Sequence, residues 1–428
     1  MKTFPSLITR RQLIKAATVA TAADAAGSVL TSTAGVARSA HSPYFKSLQG
    51  ALDRAGLHRP TLVIDKDRFV ENIRTLRTHW SNDIHYRAVT KSLPAYGLIE
   101  TILEQTQSQR LMVFHQPFLN SVAKRWPEVN CLLGKPMPVG AVDQFYRSHQ
   151  PSAFDPARQV QWLVDSMPRL IQYRDFAESR KLNLSINLEI DVGFHRGGFS
   201  SPAEMRQALL LIQKSPGLNF SGFMGYDGHI SIFPQFVGQP EKSLPETDRR
   251  YRAFVEAARK SLDSQWDEQA MTLNTGGSTT YQLYRRGREV TVANDIAVGS
   301  GLIKPRFCDA TLGDHQEAVF IATPVLKTSP SVDIPGHAPE TGKRMTLFTY
   351  GGKWMAEVAS PQGLENHPVY GRSSNQDMFT APLGTPIFMD DRVFLRPSQT
   401  EGVLLQFGDI AVYQQGEIRE FWPTLQTS

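Results

Sequence analysis

From residue 60 onward the chain alternates short apolar runs with amphipathic stretches. Residues 60–67, PTLVIDKD, read as a buried strand, and 68–80 follow with Phe69, Ile73 and Leu76 at helical spacing. Further strand-like runs occupy 84–90, 111–115, 131–134, 160–166, 184–191, 218–226, 271–275 and 290–298. Helical patterns such as 96–107, 203–214 and 249–262 fill the gaps. Eight strands separated by crossover helices predict an α/β fold, a (β/α)8 barrel of the TIM type, counted from the strand at 84.

From about residue 311 the long helical patterns stop. Short β-rich runs at 318–326, 345–350, 392–395, 402–405 and 410–413, separated by Gly, Pro and Asp, predict a second, all-β domain. The strand at 60–67 lies outside the barrel count and is expected to pair with that domain. The expected organisation is 1–39 as a targeting segment, 40–67 as a lead-in and strand joining the β domain, 68–310 as the barrel and 311–428 as the C-terminal β domain. Residues 229–248, with Pro234, Pro240 and Pro245, suit a lid or a plain surface insertion equally.

Composition is that of a globular protein, with 41% hydrophobic and 20% charged residues. The net charge of +5 is concentrated at the amino terminus, where Lys2, Arg10, Arg11, Lys15 and Arg38 face a single acid, Asp24. The remainder is close to neutral and has no basic stripe interleaved with aromatics, which argues against nucleic-acid binding. Arg10 and Arg11, the apolar Leu13 and Ile14, and the Ala/Thr-rich run up to Ala34 resemble a twin-arginine export signal, with small residues at Ala37 and Ser39 for cleavage. The run is too weakly hydrophobic for a membrane span, which needs about 20 predominantly apolar residues. A periplasmic location, with no membrane association after signal removal, is expected. Cys131 and Cys308 are too far apart in sequence for a metal-type pair, and a single bridge between them stays open.

The candidate chemistry collects at strand ends. Lys91, in AVTKSLP, closes the first barrel strand, and the carboxyl end of barrel strands is where active sites form. A lysine pushed toward low dielectric there loses part of its proton affinity and becomes a Schiff-base amine; a surface lysine is the plain alternative. After the fifth strand comes DVGFHRGG, with Asp191, His195 and Arg196, and after the sixth YDGH, with Tyr226. After the seventh comes TGGSTT, where Gly276, Gly277, Ser278 and Thr279 let backbone N–H groups and hydroxyls converge on an anion. A strand-end lysine and such a loop in one barrel mouth describe a phosphorylated aldehyde cofactor.

In matching order over roughly 58–428, these stretches resemble the fold-type III pyridoxal-phosphate enzymes, in the D-threonine aldolase and D-serine dehydratase-like branch related to alanine racemase. The resemblance implies that Lys91 forms the internal aldimine with pyridoxal 5'-phosphate and that Arg196 faces the pyridine nitrogen. It implies that Tyr226 lines the cofactor and that Gly276, Gly277, Ser278 and Thr279 hold its phosphate. A homodimer is implied as well. An arginine at the ring nitrogen disfavours its protonation and weakens the electron sink.

The expected reaction is that of a lyase on a small, β-hydroxy, D-amino acid, by aldol cleavage or dehydration. The alternatives are an amino-acid racemase, which needs a second base opposite Lys91, and a non-catalytic cofactor-binding protein. Metal-dependent members carry a Pro-x-His-x-Cys type segment. The corresponding stretch here is Arg396-Pro397-Ser398-Gln399-Thr400-Glu401, so Gln399 and Glu401 replace the two ligands. A glutamine amide is a poor transition-metal ligand, which argues against the usual divalent-metal site. Glu401 becomes the candidate protein acid or base. The polar run 373–377 is read as a loop, with oxygens for a harder ion as the alternative.

Overall fold

Eight parallel strands close on one another in chain order in the computed structural model of the protein, which describes residues 40–232, 240–330, 335–336, 344–367 and 370–427. They are β2 (His85–Val89), β3 (Arg110–Val113), β4 (Asn130–Leu133), β5 (Val160–Val164), β6 (Leu184–Glu189), β7 (Leu218–Met224), β8 (Thr272–Thr275) and β9 (Asp295–Val298), after β1 at Thr61–Asp65. Pairing of β2 with β9, Tyr86 opposite Ile296, closes the barrel predicted from the alternation. The last strand is shorter than expected: Val290 still folds back onto the Gly287 carbonyl, and only Asp295–Val298 extends and pairs.

Barrel interiors are usually filled by branched apolar side chains. Here a polar layer lies among them: Arg87, Gln161, Asn187, Thr272, Asn274 and Asp295 are all buried. Arg87 binds Asp295 in bidentate fashion, Nε to Oδ1 at 2.8 Å and Nη2 to Oδ2 at 2.9 Å, and reaches the Leu111 carbonyl at 3.1 Å. Burial alone would raise the Asp295 carboxyl, but Arg87, Arg110 and the Asn274 amide outweigh it and hold it below the usual carboxylate range.

The remaining strands, β10 (Val319–Ser329), β11 (Arg344–Thr349), β12 (Ala356–Ser360), β13 (Glu365–Asn366), β14 (Met378–Pro382), β15 (Arg392–Pro397), β16 (Ile410–Gln414) and β17 (Glu417–Trp422), form a mostly antiparallel sheet with β1. β1 lies between β10 and β16, antiparallel to the first and parallel to the second. The polar lead-in contains a helix, Pro43–Arg54, whose Leu48, Ala51 and Leu52 pack on Val63, Phe320 and Phe394. Residues 402–405 are not a strand. Val403 and Leu404 both donate to the Thr400 carbonyl, which winds Leu404–Gln406 into a 3-10 turn.

Beyond Trp422 the chain runs back beside the loop that follows Lys91. Tyr96 donates its backbone N–H to the Pro423 carbonyl at 3.0 Å, and Leu425 donates to Pro94 at 2.8 Å. Trp422 lies against Gly97 so closely that a Cβ there would sit 2.3 Å from the indole. Both cysteines are buried and free, so no bridge joins them. Of 229–248, His229–Ile232 is a short helix and the helix Pro240–Leu262 has begun by the end, while 233–239 lie outside the described residues. The targeting segment 1–39 lies outside them too. No described helix is long and apolar enough to cross a membrane.

Candidate active site

A pocket of about 690 Å³, its open mouth included, lies at the carboxyl ends of the barrel strands, lined by Lys91, Arg196, Tyr226, Gly276, Gly277, Ser278, Thr279 and Glu401. The lysine, the arginine, the tyrosine, the glycine-rich loop and Glu401 expected from the sequence therefore meet in one place. Val89, Met112, Met224 and Ala297 form its apolar wall.

Lys91 sits two residues past the end of β2. Its amine lies 4.7 Å above the Phe114 ring and 3.3 Å from Glu401 Oε1. The side chain is 42% exposed, so it is a paired group at the mouth and not one sunk into low dielectric. Glu401 arrives from the β domain, four residues past β15, while Gln399 points outward and is exposed. Ser92 donates to Glu401 Oε1 at 2.7 Å and Thr400 to Oε2 at 3.1 Å. Burial would raise this carboxyl, but the Lys91 charge and the two hydroxyls prevail and hold it below the usual carboxylate range.

Arg196 is aimed by a loop that Asp191 ties down. Its carboxylate accepts the N–H groups of Gly193 at 2.9 Å and His195 at 3.0 Å, and the His195 imidazole at 2.6 Å. His195 turns outward, its side chain 71% exposed, and the Arg196 guanidinium lies over the Tyr226 ring at 4.6 Å. Burial pushes the Glu189 carboxyl up to about 6, with the nearby Arg196 charge opposing it. Burial pushes the Tyr226 hydroxyl up to about 12.

The glycine-rich loop leaves β8 with Gly276 at φ +75°, where a Cβ would sit 2.6 Å from Ile296, so no larger residue follows this path. The backbone N–H groups of Ser278 and Thr279 donate to no other described residue. A second loop, after β9, was not singled out in the sequence. Gly299 and Gly301 donate their N–H groups to Ser278 Oγ at 3.3 and 2.9 Å, and Ser300 adds its hydroxyl at 3.1 Å. The Gly-Ser-Gly spacing at a strand end was the signal available, as was the hydroxyl of Ser92 beside Lys91. Two successive unpaired N–H groups, flanking hydroxyls and side-chain-free backbone fit a phosphate monoester. With an amine and a guanidinium at the other end, the residues present fit pyridoxal phosphate.

Asp377, in the polar run considered for a hard ion, is fully buried and accepts Arg372 Nε at 2.6 Å and the Ser373 N–H at 3.0 Å, so it braces a loop. Among the described residues no three His, Cys, Asp or Glu side chains converge as a metal site would require.

Comparison with known proteins agrees with this geometry. Among solved structures, the chain is similar to D-threonine aldolase from Filomicrobium marinum, with a TM-score of 0.69 and 14% identity, covering 86% of this chain and 95% of that one. It is similar to D-threo-3-hydroxyaspartate dehydratase from Delftia sp. HT23, with a TM-score of 0.63, 17% identity and coverage of 86% and 98%. It is also similar to alanine racemase from Clostridium difficile 630, with a TM-score of 0.65, 14% identity and coverage of 85% and 98%. At these identities the likeness establishes the barrel-plus-sheet fold. No curated protein matches the sequence. The alanine racemase N-terminal domain family matches residues 64–300, more than half of the chain, and the protein thus belongs to that family of fold-type III pyridoxal-phosphate proteins.

Proposed function

We propose that the protein is a pyridoxal-phosphate-dependent lyase that cleaves a small β-hydroxy amino acid of the D series, with dehydration of the same substrate as the neighbouring reaction. The observation that carries this reading is the Lys91–Glu401 pair, an amine and a carboxylate 3.3 Å apart at the mouth of a cofactor-shaped pocket. When bound, pyridoxal phosphate supplies an aldehyde for amine exchange and a ring that accepts electrons from Cα. Lys91 would be the group that holds the aldehyde end, and its amine, at the pocket mouth, would give or take a proton at the substrate Cα. Ser278, Thr279 and the glycines would hold the phosphate end, and Arg196 would supply a positive charge beside the ring.

Glu401 chooses between the two lyase outcomes. Dehydration needs an acid to protonate the departing hydroxide, whereas aldol cleavage needs a base to accept the β-hydroxyl proton. A carboxyl held below its ordinary range by Lys91, Ser92 and Thr400 is ionised at neutral pH and is suited to the second role. No divalent metal is assigned to this step. A racemase would need a second proton-transfer group across Cα from Lys91. Glu401 lies on the Lys91 side, and the Tyr226 hydroxyl, pushed up to about 12 beneath Arg196, is a weak substitute. The reading also includes export by the twin-arginine route through residues 1–39, and a homodimer.

The test is the visible spectrum of the purified protein before and after borohydride, followed by turnover assays. A reducible chromophore fixed on Lys91, with an aldehyde and glycine released from D-β-hydroxy amino acids, is the expected result. A colourless protein that takes up no pyridoxal phosphate overturns it, and interconversion of D- and L-isomers with no cleavage turns the assignment to the racemase.

A further inference from the structure

Beneath the glycine-rich loop lies a carboxylate that the mechanism above does not use. Asp227 is fully buried, and among the described residues its recorded side-chain partners are hydroxyls, not a lysine or arginine. Its partners are two hydroxyls: Thr280 donates to Oδ1 at 3.0 Å and Tyr284 to Oδ2 at 2.6 Å. A buried, cation-free carboxylate is costly, and below a loop that receives a phosphate its charge has the wrong sign for attraction.

The hydrogen bonds explain its presence. Thr280 closes the loop on itself: its Oγ1 accepts the Gly277 N–H at 3.0 Å, and its own N–H donates to the Gly277 carbonyl at 3.1 Å. A hydroxyl hydrogen rotates to suit its surroundings. Asp227, which when ionised can only accept, captures that hydrogen and leaves the Thr280 oxygen lone pairs for Gly277. The closed turn then points the Ser278 and Thr279 N–H groups outward without internal partners.

We propose that Asp227 is a positioning residue for phosphate recognition, acting through Thr280 to preorganise the loop that takes the phosphate of the cofactor. The inference rests on the cofactor reading above and adds a division of labour within it. Asp227 serves the phosphate end alone and contributes nothing to holding the aldehyde end at Lys91.

Comparing ligands with and without a phosphate tests this. Full-length apoprotein is titrated with pyridoxal phosphate and with pyridoxal for the wild type, Asp227→Asn, Thr280→Val and Thr280→Ser, with fluorescence as readout. The expected result is a loss of roughly tenfold or more in affinity for pyridoxal phosphate in D227N and T280V, the size of one charge-assisted hydrogen bond. Pyridoxal affinity stays unchanged, and T280S, which keeps the hydroxyl, binds as the wild type. Equal losses for the two ligands indicate a general packing role and overturn the proposal, as does an unchanged affinity for pyridoxal phosphate. If D227N fails to fold, T280V and T280S decide the question. A wild type that binds neither ligand fails the cofactor reading itself, and the inference falls with it, an outcome distinct from a wild type that binds both while the variants show no discrimination.

Discussion

Replacing Glu401 with glutamine separates its chemical role from its structural one. The amide keeps the shape of the side chain; its single oxygen still accepts from one of Ser92 and Thr400, its NH2 can donate to the other hydroxyl once that hydroxyl turns, and it cannot take up a proton near neutral pH. The lost ion pair with Lys91 spans 3.3 Å, with side chains 42% and 34% exposed. Solvent screening at that exposure limits its contribution to well under about 1 kcal/mol, so melting temperature and cofactor affinity should barely move. Loss of a positioned base lowers turnover roughly 100-fold or more, equivalent to about 2.7 kcal/mol of barrier.

The pH dependence carries the second signature. Because the folded carboxyl lies below its ordinary value of 4.5, wild-type kcat/KM should hold down to that value and fall only as pH drops through the depressed pKa. Glu401→Gln should lack that acidic limb. The assay is aldehyde release from a D-β-hydroxy amino acid between pH 4 and 8, beside the cofactor absorbance. A variant with a wild-type spectrum and wild-type turnover would refute the role for Glu401.

Further expectations follow from the same geometry. Arg87→Met removes the bidentate partner of buried Asp295, leaving only the half-buried Arg110 at 3.3 Å, and should cost about 3 kcal/mol in denaturant unfolding. Since the Asp295 carboxyl is depressed in the fold, the stability from this pair is present above the ordinary carboxylate range and should be lost as pH falls through the folded value, a loss that Asp295→Asn removes. Ser278→Ala unpairs the Gly299 and Gly301 N–H groups and should weaken cofactor binding roughly thirtyfold, from about 2 kcal/mol of lost hydrogen bonding, as read by titration. Leu425→Pro deletes the 2.8 Å bond to Pro94 and should raise hydrogen exchange at 92–97, next to Lys91, before the barrel strands respond.

The barrel was legible because its strands are short, apolar and separated by amphipathic helices, a pattern local to each segment. The pocket residues were legible because strand ends place them at one mouth whatever the details of packing. The helix Pro43–Arg54 was missed although Tyr44, Phe45, Leu48, Ala51 and Leu52 stand at helical spacing, because it is a single short element flanked by polar residues with no neighbouring strand pattern to mark it. The turn at Leu404–Gln406 was mistaken for a strand because a short apolar run has no period to distinguish the two. Ser92, Ser300 and Asp227 were invisible as partners of the site because each acts through a contact set by the fold: Ser92 meets Glu401 309 residues away. The ion pair of Lys91 was equally out of reach, and it replaces the buried lysine that strand position alone suggested.

The pocket draws its residues from different parts of the chain. The family match ends at residue 300, and every candidate cofactor residue, from Lys91 to Ser300, falls inside it. Glu401 falls outside, carried on the β domain and delivered to Lys91 across the sheet–barrel boundary. The tail at 423–425 crosses the same boundary to hold the loop that Lys91 begins. A barrel of this kind can therefore keep one way of gripping its cofactor while the β domain changes the group that meets the substrate. On the proposed reading, Gln399 and Glu401 stand where the resemblance places metal ligands, and the β-hydroxyl proton would pass to a carboxylate of the protein in place of a metal ion. If the Glu401→Gln enzyme turns over normally, that transfer of roles did not occur, and the reaction must be sought among groups on the barrel.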